Sequence, residues 1–484
     1  MKTLDKYLML GIFVLNIILW SGVLGAYPWG DVDASTHFAL SDFQSSNNSV
    51  MYGLPYYIDE VYGRDNAHKI WYPPQFHLSG AIVQYLSGSR FVSLEIYWLV
   101  LSCLGSAIIF YVVSKFFGTW AALFAAVLSI FSYRDYWSFL VGLWPERASY
   151  VLFPLVIYTI YRYFTGEKKF IYLYALLIGC QYWFHPQGAF ISGVASVVLT
   201  VLFIIKDKKL PFKFKEVVIP FIIVLIMVLP FIGASLQWKP DKMMKTDSLS
   251  SLVEWYPFEV PYSPDLGSFV ASYGWYFLPF LILGLAYCIK KRNLYFIAMF
   301  ISLYICYHLG ILGVGGRTFR FVTIEGMVFW PLIAGGFYFL STWLEDKLAM
   351  LLFIGLSATV LVLGIMYVVP NISDAYPAPF MRLNDAEIQA MDWVRENVPE
   401  DDNILLIGNQ VYSKRKWMRV VSQRYMLFDD VSPLGKEAEG LGTDKWVFID
   451  LSEYPEKPTL DFFNRSSLLE VYNKNDIVIF KRTE

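Results

Sequence analysis

The feature that most constrains this chain is a succession of long apolar runs separated by short charged connections. A helix needs about 20 mainly apolar residues to cross a hydrocarbon core. Only 17% of the 484 residues are charged and 56% are hydrophobic, whereas soluble domains carry about 25% charged residues. We therefore predict a mostly α, polytopic membrane protein of about eleven transmembrane helices. The apolar runs lie at 7–26, 94–113, 117–133, 149–163, 169–184, 188–205, 216–235, 269–289, 294–312, 321–341 and 348–369.

Basic residues occupy alternate connections, which predicts the orientation of the chain in a cell membrane. Lys115 and the clusters at 162–169, 206–215 and 290–292 place their connections and the N-terminus in the cytoplasm. The first run is too long for the core of a signal peptide and further spans follow it, so we interpret it as a retained first span. The outer side then receives 27–93, 134–148, 236–268, 313–320 and everything after 370.

Two domains are predicted, a transmembrane domain at 1–375 with a long first outer loop at 27–93, and an extracytoplasmic α/β domain at 376–484. In the loop, Pro74 is a typical helix start, and Phe76, Leu78, Ile82, Val83 and Leu86 recur at helical spacing before Gly88. This pattern predicts an amphipathic helix lying in the membrane interface. The outer domain is predicted to contain a capped helix at Asn384–Asn397, strands at 403–408 and 446–451, and a hairpin at 468–481 turning around 473–476.

Composition excludes several classes of function. A net charge of −2 provides no general attraction to nucleic acid. The four cysteines all lie inside apolar runs without metal-ligand spacing, which argues against a disulfide framework and a zinc site.

Polar groups that could do chemistry cluster on the predicted outer side, whereas the cytoplasmic loops carry mainly Lys and Arg. Each has a simple structural alternative: Asp31 or Asp33 could cap a helix, Arg134 and Asp135 could form a surface pair, Arg147 could snorkel, and His185 could be a satisfied turn residue. The clustered residues are Asp31, Asp33, His37, Arg134, Asp135, Glu146, Arg147, His185, Arg317, Arg320 and Glu325.

This combination of groups suits one type of reaction. A carboxylate can deprotonate a hydroxyl nucleophile, and guanidinium groups can bind a phosphate and stabilise it as it leaves. The surrounding membrane lipid can hold an acyl or prenyl chain. We therefore expect a lipid-phosphate-linked donor that loses its head group to an acceptor.

Three short motifs carry a family resemblance. Asp33-Ala34-Ser35-Thr36-His37-Phe38 resembles the Asp-x-x-x-His/Asn-aromatic element that follows the first span in GT-C glycosyltransferases, a superfamily that includes oligosaccharyltransferase catalytic subunits, protein O-mannosyltransferases and aminoarabinose transferases. Tyr72-Pro73-Pro74-Gln75-Phe76-His77 resembles the start of their first-loop helix, and residues 390–401 are similar to the helix that opens the soluble domain of archaeal oligosaccharyltransferases.

The resemblance implies transfer of a hexose from a polyprenyl (dolichyl) phosphate donor, with inversion, at the outer membrane face. It implies that Asp33 is the catalytic carboxylate, with Asp31 as its rival, and that Asp135 or Glu146 is the second acidic residue. Arg317 or Arg320 would hold the donor phosphate. Other candidate substrate-binding residues are His37, Tyr72, His77, Arg147 and His185.

One departure narrows the expected acceptor. Where oligosaccharyltransferases carry Trp-Trp-Asp-Tyr-Gly, this chain has Leu405-Leu406-Ile407-Gly408-Asn409, which disfavours en bloc transfer to asparagine. A lipid-linked glycan or a protein hydroxyl fits better as acceptor, and a divalent cation (Mg or Mn) is optional because arginines can neutralise the phosphate. Two alternatives stay open, a glycolipid transporter or flippase and a non-catalytic scaffold.

Overall fold

The computed structural model of the chain describes residues 2–24, 30, 32–50, 55, 57–58, 73–237, 272–309, 318–368, 383–407, 412–429, 445–451 and 468–483. Helices dominate these ranges, as the apolar pattern predicted. The helices before the outer domain are α1 (Thr3–Trp20), α2 (Val32–Asn47), α3 (Gln75–Ser87), α4 (Val92–Ile130), α5 (Tyr133–Leu140), α6 (Trp144–Val151), α7 (Phe153–Phe164), α8 (Phe170–Phe184), α9 (Pro186–Asp207), α10 (Phe214–Gln237), α11 (Leu278–Lys290), α12 (Leu294–Tyr307), α13 (Glu325–Ser341) and α14 (Asp346–Leu363).

Several of the described helices have the length and composition of membrane spans. Six stretches qualify by both criteria, and three further apolar helices are shorter. The six are Thr3–Trp20, Val92–Ile130, Pro186–Asp207, Phe214–Phe231, Arg320–Ser341 and Asp346–Tyr367.

The 39-residue helix α4 contains a break at Gly118, where φ is 85° and ψ is 173°. On one side of the break, Gly105 lies against Met327 in the first turn of α13, and Phe117 lies against Gly335 nearer the end of that helix. On the other side, the carbonyl of Ile130 accepts a hydrogen bond of 3.0 Å from Trp20 at the end of α1. One turn earlier on α1, Asn16 donates a hydrogen bond of 3.1 Å to Ser106, so both sides of the break contact the same end of α1. The chain therefore reverses direction at Gly118, which divides α4 into two antiparallel parts, as the separate apolar runs at 94–113 and 117–133 predicted.

The domain at 376–484, which the sequence predicts to be extracytoplasmic and which we call the outer domain, contains α15 (Asp385–Asn397), α16 (Tyr412–Ser422) and a five-stranded sheet. The side chain of Asn384 caps α15 by accepting a hydrogen bond of 2.9 Å from the backbone N–H of Glu387, and the Glu387 carboxylate accepts one from the N–H of Asn384. This reciprocal arrangement satisfies two N–H groups at the helix start. The strands are β1 (Ile404–Ile407), β2 (Met426–Asp429), β3 (Trp446–Asp450), β4 (Leu468–Lys474) and β5 (Ile477–Arg482).

The sheet has the order β2-β1-β3-β5-β4. β1 runs parallel to both β2 and β3, whereas β5 is antiparallel to β3 and β4. The predicted helix, central strands and terminal hairpin are all present. Sequence reasoning missed α16 and β2, which complete the parallel part of the sheet.

The predicted amphipathic helix is α3, and it ends at Gly88 in a left-handed conformation as expected. Part of its apolar face points away from the rest of the protein, on the side that an interfacial helix turns toward lipid. Ile82 and Leu86 are exposed, whereas the small and polar residues His77, Gly80 and Gln84 are buried. Gly80 packs against α2 and α4, because a methyl group there would lie 2.8 Å from Ser41 Oγ.

Candidate active site

The N-terminal end of α2 is held in backbone contact with the connection between α5 and α6. A methyl group at Gly142, where φ is +89°, would lie 2.3 Å from the backbone nitrogen of Ala34. Only glycine fits both this close approach and this left-handed φ. Asp33 directly precedes Ala34 in the first turn of α2. The partial positive charge of a helix N-terminus favours a carboxylate at this position.

Arg320 bridges two carboxylates that come from different loops. Its Nη1 lies 2.9 Å from Oε2 of Glu146 in α6, and its Nη2 lies 3.5 Å from Oδ2 of Asp33. Glu146 also accepts a hydrogen bond of 3.1 Å from Thr323, which follows Arg320 by one turn. The structure thus brings together residues from three connections that the sequence analysis predicted to face the outer side, namely 27–93, 134–148 and 313–320.

The two carboxylates differ in their environment. The Asp33 side chain is 42% exposed, whereas that of Glu146 is only 2% exposed. Burial raises the pKa of Glu146, and the nearby guanidinium of Arg320 and the Thr323 hydroxyl oppose this shift. Glu146 is therefore suited to hold Arg320, and Asp33 is the more accessible of the two carboxylates.

Three histidines lie beside these charges. His37, one turn after Asp33 on α2, and His77 on α3 are joined by a hydrogen bond of 3.0 Å between Nδ1 of His37 and Nε2 of His77. Burial lowers the pKa of His77 to about 3 and that of His185 to about 3, with Arg320 contributing to the latter. Burial, followed by the neighbouring His77, lowers the pKa of His37 as well. These shifts favour the neutral form of the three imidazoles, which can both donate and accept hydrogen bonds.

His185 has a local role in addition to its position near Arg320. It forms the N-cap of α9, and its Nδ1 accepts a hydrogen bond of 3.3 Å from the backbone N–H of Gln187. This hydrogen bond agrees with the structural alternative, in which His185 is a satisfied turn residue.

Two further buried ion pairs involve residues of α5 and α6. Arg147 binds Asp135 and donates a hydrogen bond of 3.3 Å to the carbonyl of Ser102. Arg134 binds Glu325 at 2.6 Å. Arg134 and Asp135 therefore do not form a surface pair with each other, and Arg147 does not snorkel, so both of those alternatives are wrong.

Glu325 receives further hydrogen bonds that the sequence analysis missed. The hydroxyls of Tyr307 and Tyr273 both donate to its carboxylate. Thr323 was also missed, although its spacing of one helical turn from Arg320 was a usable signal. Of the candidate site residues, Asp31, Tyr72 and Arg317 lie outside the described residues.

Comparison with known proteins identifies a family and a fold. A family model described as "6-pyruvoyl-tetrahydropterin synthase related domain; membrane protein" matches residues 70–367. No curated protein matches the chain. Among solved structures, the chain resembles ArnT from Cupriavidus metallidurans, with a TM-score of 0.61, 9% identity, and coverage of 99% of this chain and 98% of ArnT.

Two other similar structures are glycosyltransferases of different size. The archaeal oligosaccharyltransferase AglB from Archaeoglobus fulgidus, in complex with an inhibitory peptide and a dolichol-phosphate, has a TM-score of 0.60 and 13% identity over 93% of this chain and 70% of AglB. The arabinofuranosyltransferase AftD from Mycobacteria has a TM-score of 0.57 and 12% identity over 98% of this chain and 41% of AftD. The chain therefore has the GT-C fold that these membrane proteins share.

Proposed function

The chain belongs to the family of membrane proteins described as 6-pyruvoyl-tetrahydropterin synthase related, and we propose that it is a glycosyltransferase that uses a polyprenyl-phosphate-linked sugar. The observation that carries this proposal is the guanidinium of Arg320 placed between an accessible carboxylate, Asp33, and a buried one, Glu146. Such a site offers a base and a phosphate-binding cation side by side.

In the proposed reaction, Asp33 takes the proton of an acceptor hydroxyl while the oxygen of that hydroxyl attacks the anomeric carbon of the donor. The bond between that carbon and the phosphate oxygen breaks, and its electron pair leaves with the polyprenyl phosphate. Arg320 stabilises the negative charge of the leaving phosphate, as charge-assisted hydrogen bonds from guanidinium do. A single displacement of this kind inverts the configuration at the anomeric carbon.

Glu146 acts in this scheme by positioning Arg320. Its near-complete burial and its second bond to Thr323 fix one side of the guanidinium, and the other side faces Asp33. We propose that His37 and His77, which hydrogen-bond to each other beside Asp33, bind hydroxyl groups of a sugar or acceptor.

The nature of the donor is supported by the structural neighbours. AglB was solved with a dolichol-phosphate and ArnT with undecaprenyl phosphate, which are both polyprenyl phosphates. We propose that a hexose is transferred to a lipid-linked glycan or a protein hydroxyl at the outer face, since the sequence analysis disfavours asparagine as acceptor.

We propose that Arg320 supplies the positive charge that a divalent cation could otherwise provide between the two carboxylates. One oligosaccharyltransferase structure from Archaeoglobus fulgidus contains Zn and sulfate. In this chain the position between Asp33 and Glu146 is taken by Arg320, and the described residues include no group of three His, Cys, Asp or Glu side chains arranged to hold a metal ion. We therefore assign the neutralising charge to Arg320.

The test compares two aspartates that each lie in the first turn of a helix. Asp33→Asn removes the proposed base, and Asp385→Asn changes an exposed aspartate in the first turn of α15. Membranes carrying each full-length variant are supplied with a polyprenyl-phosphate-linked hexose, and mass spectrometry follows free polyprenyl phosphate and sugar on lipid-linked and protein-linked glycans.

We expect Asp33→Asn to abolish transfer and Asp385→Asn to retain it. Wild-type rates in Asp33→Asn would contradict the assignment of the base. Movement of the intact glycolipid across the membrane without sugar transfer would contradict the proposed function and favour a flippase.

A further inference from the structure

The outer domain also contacts α2, the helix that carries Asp33. Asp42, near the other end of α2, is only 5% exposed and is held by Arg90 in a bidentate pair. Arg90 Nε lies 3.0 Å from Oδ1 of Asp42, and Nη2 lies 2.8 Å from Oδ2. Because both carboxylate oxygens are engaged, the pair fixes orientation as well as distance.

Arg90 continues this contact into the outer domain. Its Nη1 donates to the carbonyl of Val421 at 3.1 Å, and its Nη2 donates to the carbonyl of Val420 at 3.1 Å. Both carbonyls belong to the last turn of α16, where the partial negative charge of a helix C-terminus attracts a cation. Gln423, just after α16, donates a hydrogen bond of 2.9 Å to Asp42.

A second contact holds the chain immediately before α2. The indole nitrogen of Trp417, a fully buried residue of α16, donates a hydrogen bond of 2.9 Å to the carbonyl of Gly30. The Trp417 ring also packs edge-on against Phe38, the neighbour of His37, with ring centroids 5.6 Å apart. One helix of the outer domain thus contacts α2 before its start, along its length and near its end.

From these contacts we propose that the outer domain positions the catalytic helix α2 through α16 and Arg90, and so sets the turnover rate of a site that α16 itself does not enter. The proposal rests on the proposed function, since it assumes that α2 carries the base. It makes Arg90 and Trp417 positioning residues. A domain that only recognised the acceptor would change KM, and a domain that only stabilised the fold would leave kcat of the folded enzyme unchanged.

Two tryptophans of the outer domain provide a matched pair of variants. Trp417→Phe removes the hydrogen bond to Gly30 and keeps an aromatic ring. Trp446→Phe removes a similar hydrogen bond of 3.0 Å, from Trp446 to Asp402, that lies wholly within the outer domain. Arg90→Lys is the second test variant, because lysine keeps the charge but cannot contact both Asp42 oxygens and the two carbonyls at once.

The measurements are kcat and KM of the full-length enzyme, and amide hydrogen exchange of peptides within 32–47 and, as an internal reference, within 186–207. Loss of one neutral hydrogen bond corresponds to about a fivefold change in an equilibrium. We therefore expect Trp417→Phe to lower kcat about fivefold and Arg90→Lys by tenfold or more, with KM nearly unchanged and faster exchange at 32–47 alone. Trp446→Phe should match the wild type in kcat and in exchange at 32–47.

Unchanged kcat and unchanged exchange at 32–47 in Trp417→Phe and Arg90→Lys would overturn the proposal. An effect confined to KM would also overturn it and would assign the outer domain to acceptor recognition. Failure of the proposed function has a different signature, namely normal transfer by Asp33→Asn. Hydrogen exchange reports on α2 whatever reaction the site performs.

Discussion

The buried pair of Asp135 and Arg147 gives a prediction whose magnitude follows from its burial. Their side chains are 1% and 5% exposed, and Oδ2 of Asp135 has no hydrogen-bond partner among the described residues. Removing Arg147 would leave a buried carboxylate without a counter-charge, which costs about 3–5 kcal/mol. Arg147 also lies over the Trp20 ring at 4.8 Å, a cation–π contact worth up to about 2 kcal/mol when desolvated.

We therefore expect Arg147→Leu to lower the free energy of unfolding by at least about 3 kcal/mol. The double variant Asp135→Leu/Arg147→Leu should recover most of this loss, because it buries no unpaired charge. The assay is unfolding of the detergent-purified protein, by heat and by denaturant. Arg162→Leu is the control, since Arg162 pairs with Glu167 where both side chains are much more exposed, and it should change stability by less than about 1 kcal/mol.

Two results would refute this reasoning. One is an Arg147→Leu protein as stable as the Arg162→Leu control, and the other is a double variant no more stable than Arg147→Leu. The experiment also separates two roles of the pair, since the sequence analysis placed Asp135 and Arg147 among the substrate-binding candidates. Normal stability with lost transfer would favour substrate binding.

Two further predictions concern the site itself. Arg320→Lys keeps one positive charge but cannot bridge Asp33 and Glu146, so kcat should fall about 10²–10³-fold. Steady-state transfer rates measure this change, and a loss below threefold would contradict the role of Arg320. Because burial lowers the pKa of His77 to about 3, the unfolded chain binds more protons than the folded chain between that value and the ordinary 6.5. His77 therefore makes the folded state less stable as pH falls through this window, and thermal unfolding at pH 5 and pH 7 should show a smaller pH dependence in His77→Gln than in the wild type.

The membrane architecture was largely predictable because apolar runs and glycine breaks are local signals. The reversal at Gly118 separates two runs that were already distinct in the sequence, and Asn384 and Glu387 form the capping box that their spacing indicates. The sequence analysis did not predict which side of α3 packs against the protein. Its inner side packs against α2 and α4, where small and polar residues fit, so its apolar residues face outward.

The partners of the charged residues needed the structure. Adjacent residues on a helix point about 100° apart, so Arg134 and Asp135 of α5 contact different elements, Glu325 and Arg147. The pairing of Asp33 with Arg320 joins residues 287 positions apart. Sequence reasoning placed both on the same side of the membrane, but only the packing of α2, α6 and the segment before α13 decides that they meet.

The docking of the outer domain on α2 was also missed, for a specific reason. The apolar face of α16 is short, with Trp417, Val420 and Val421 among several basic residues. Such a segment has little to distinguish it from an ordinary surface helix. Its main contacts are to backbone carbonyls, at Gly30 and through Arg90, and backbone acceptors leave no trace in the amino-acid pattern.

The backbone contact between Gly142 and Ala34 has a consequence for ligand design. With no gap at that junction, the first turn of α2 cannot move toward the connection between α5 and α6, so in the proposed reaction the acceptor hydroxyl has to approach Asp33. Molecules that mimic the reacting groups would bind beside a carboxylate whose position is fixed before they bind. They should therefore lose little affinity to reorganisation of the protein.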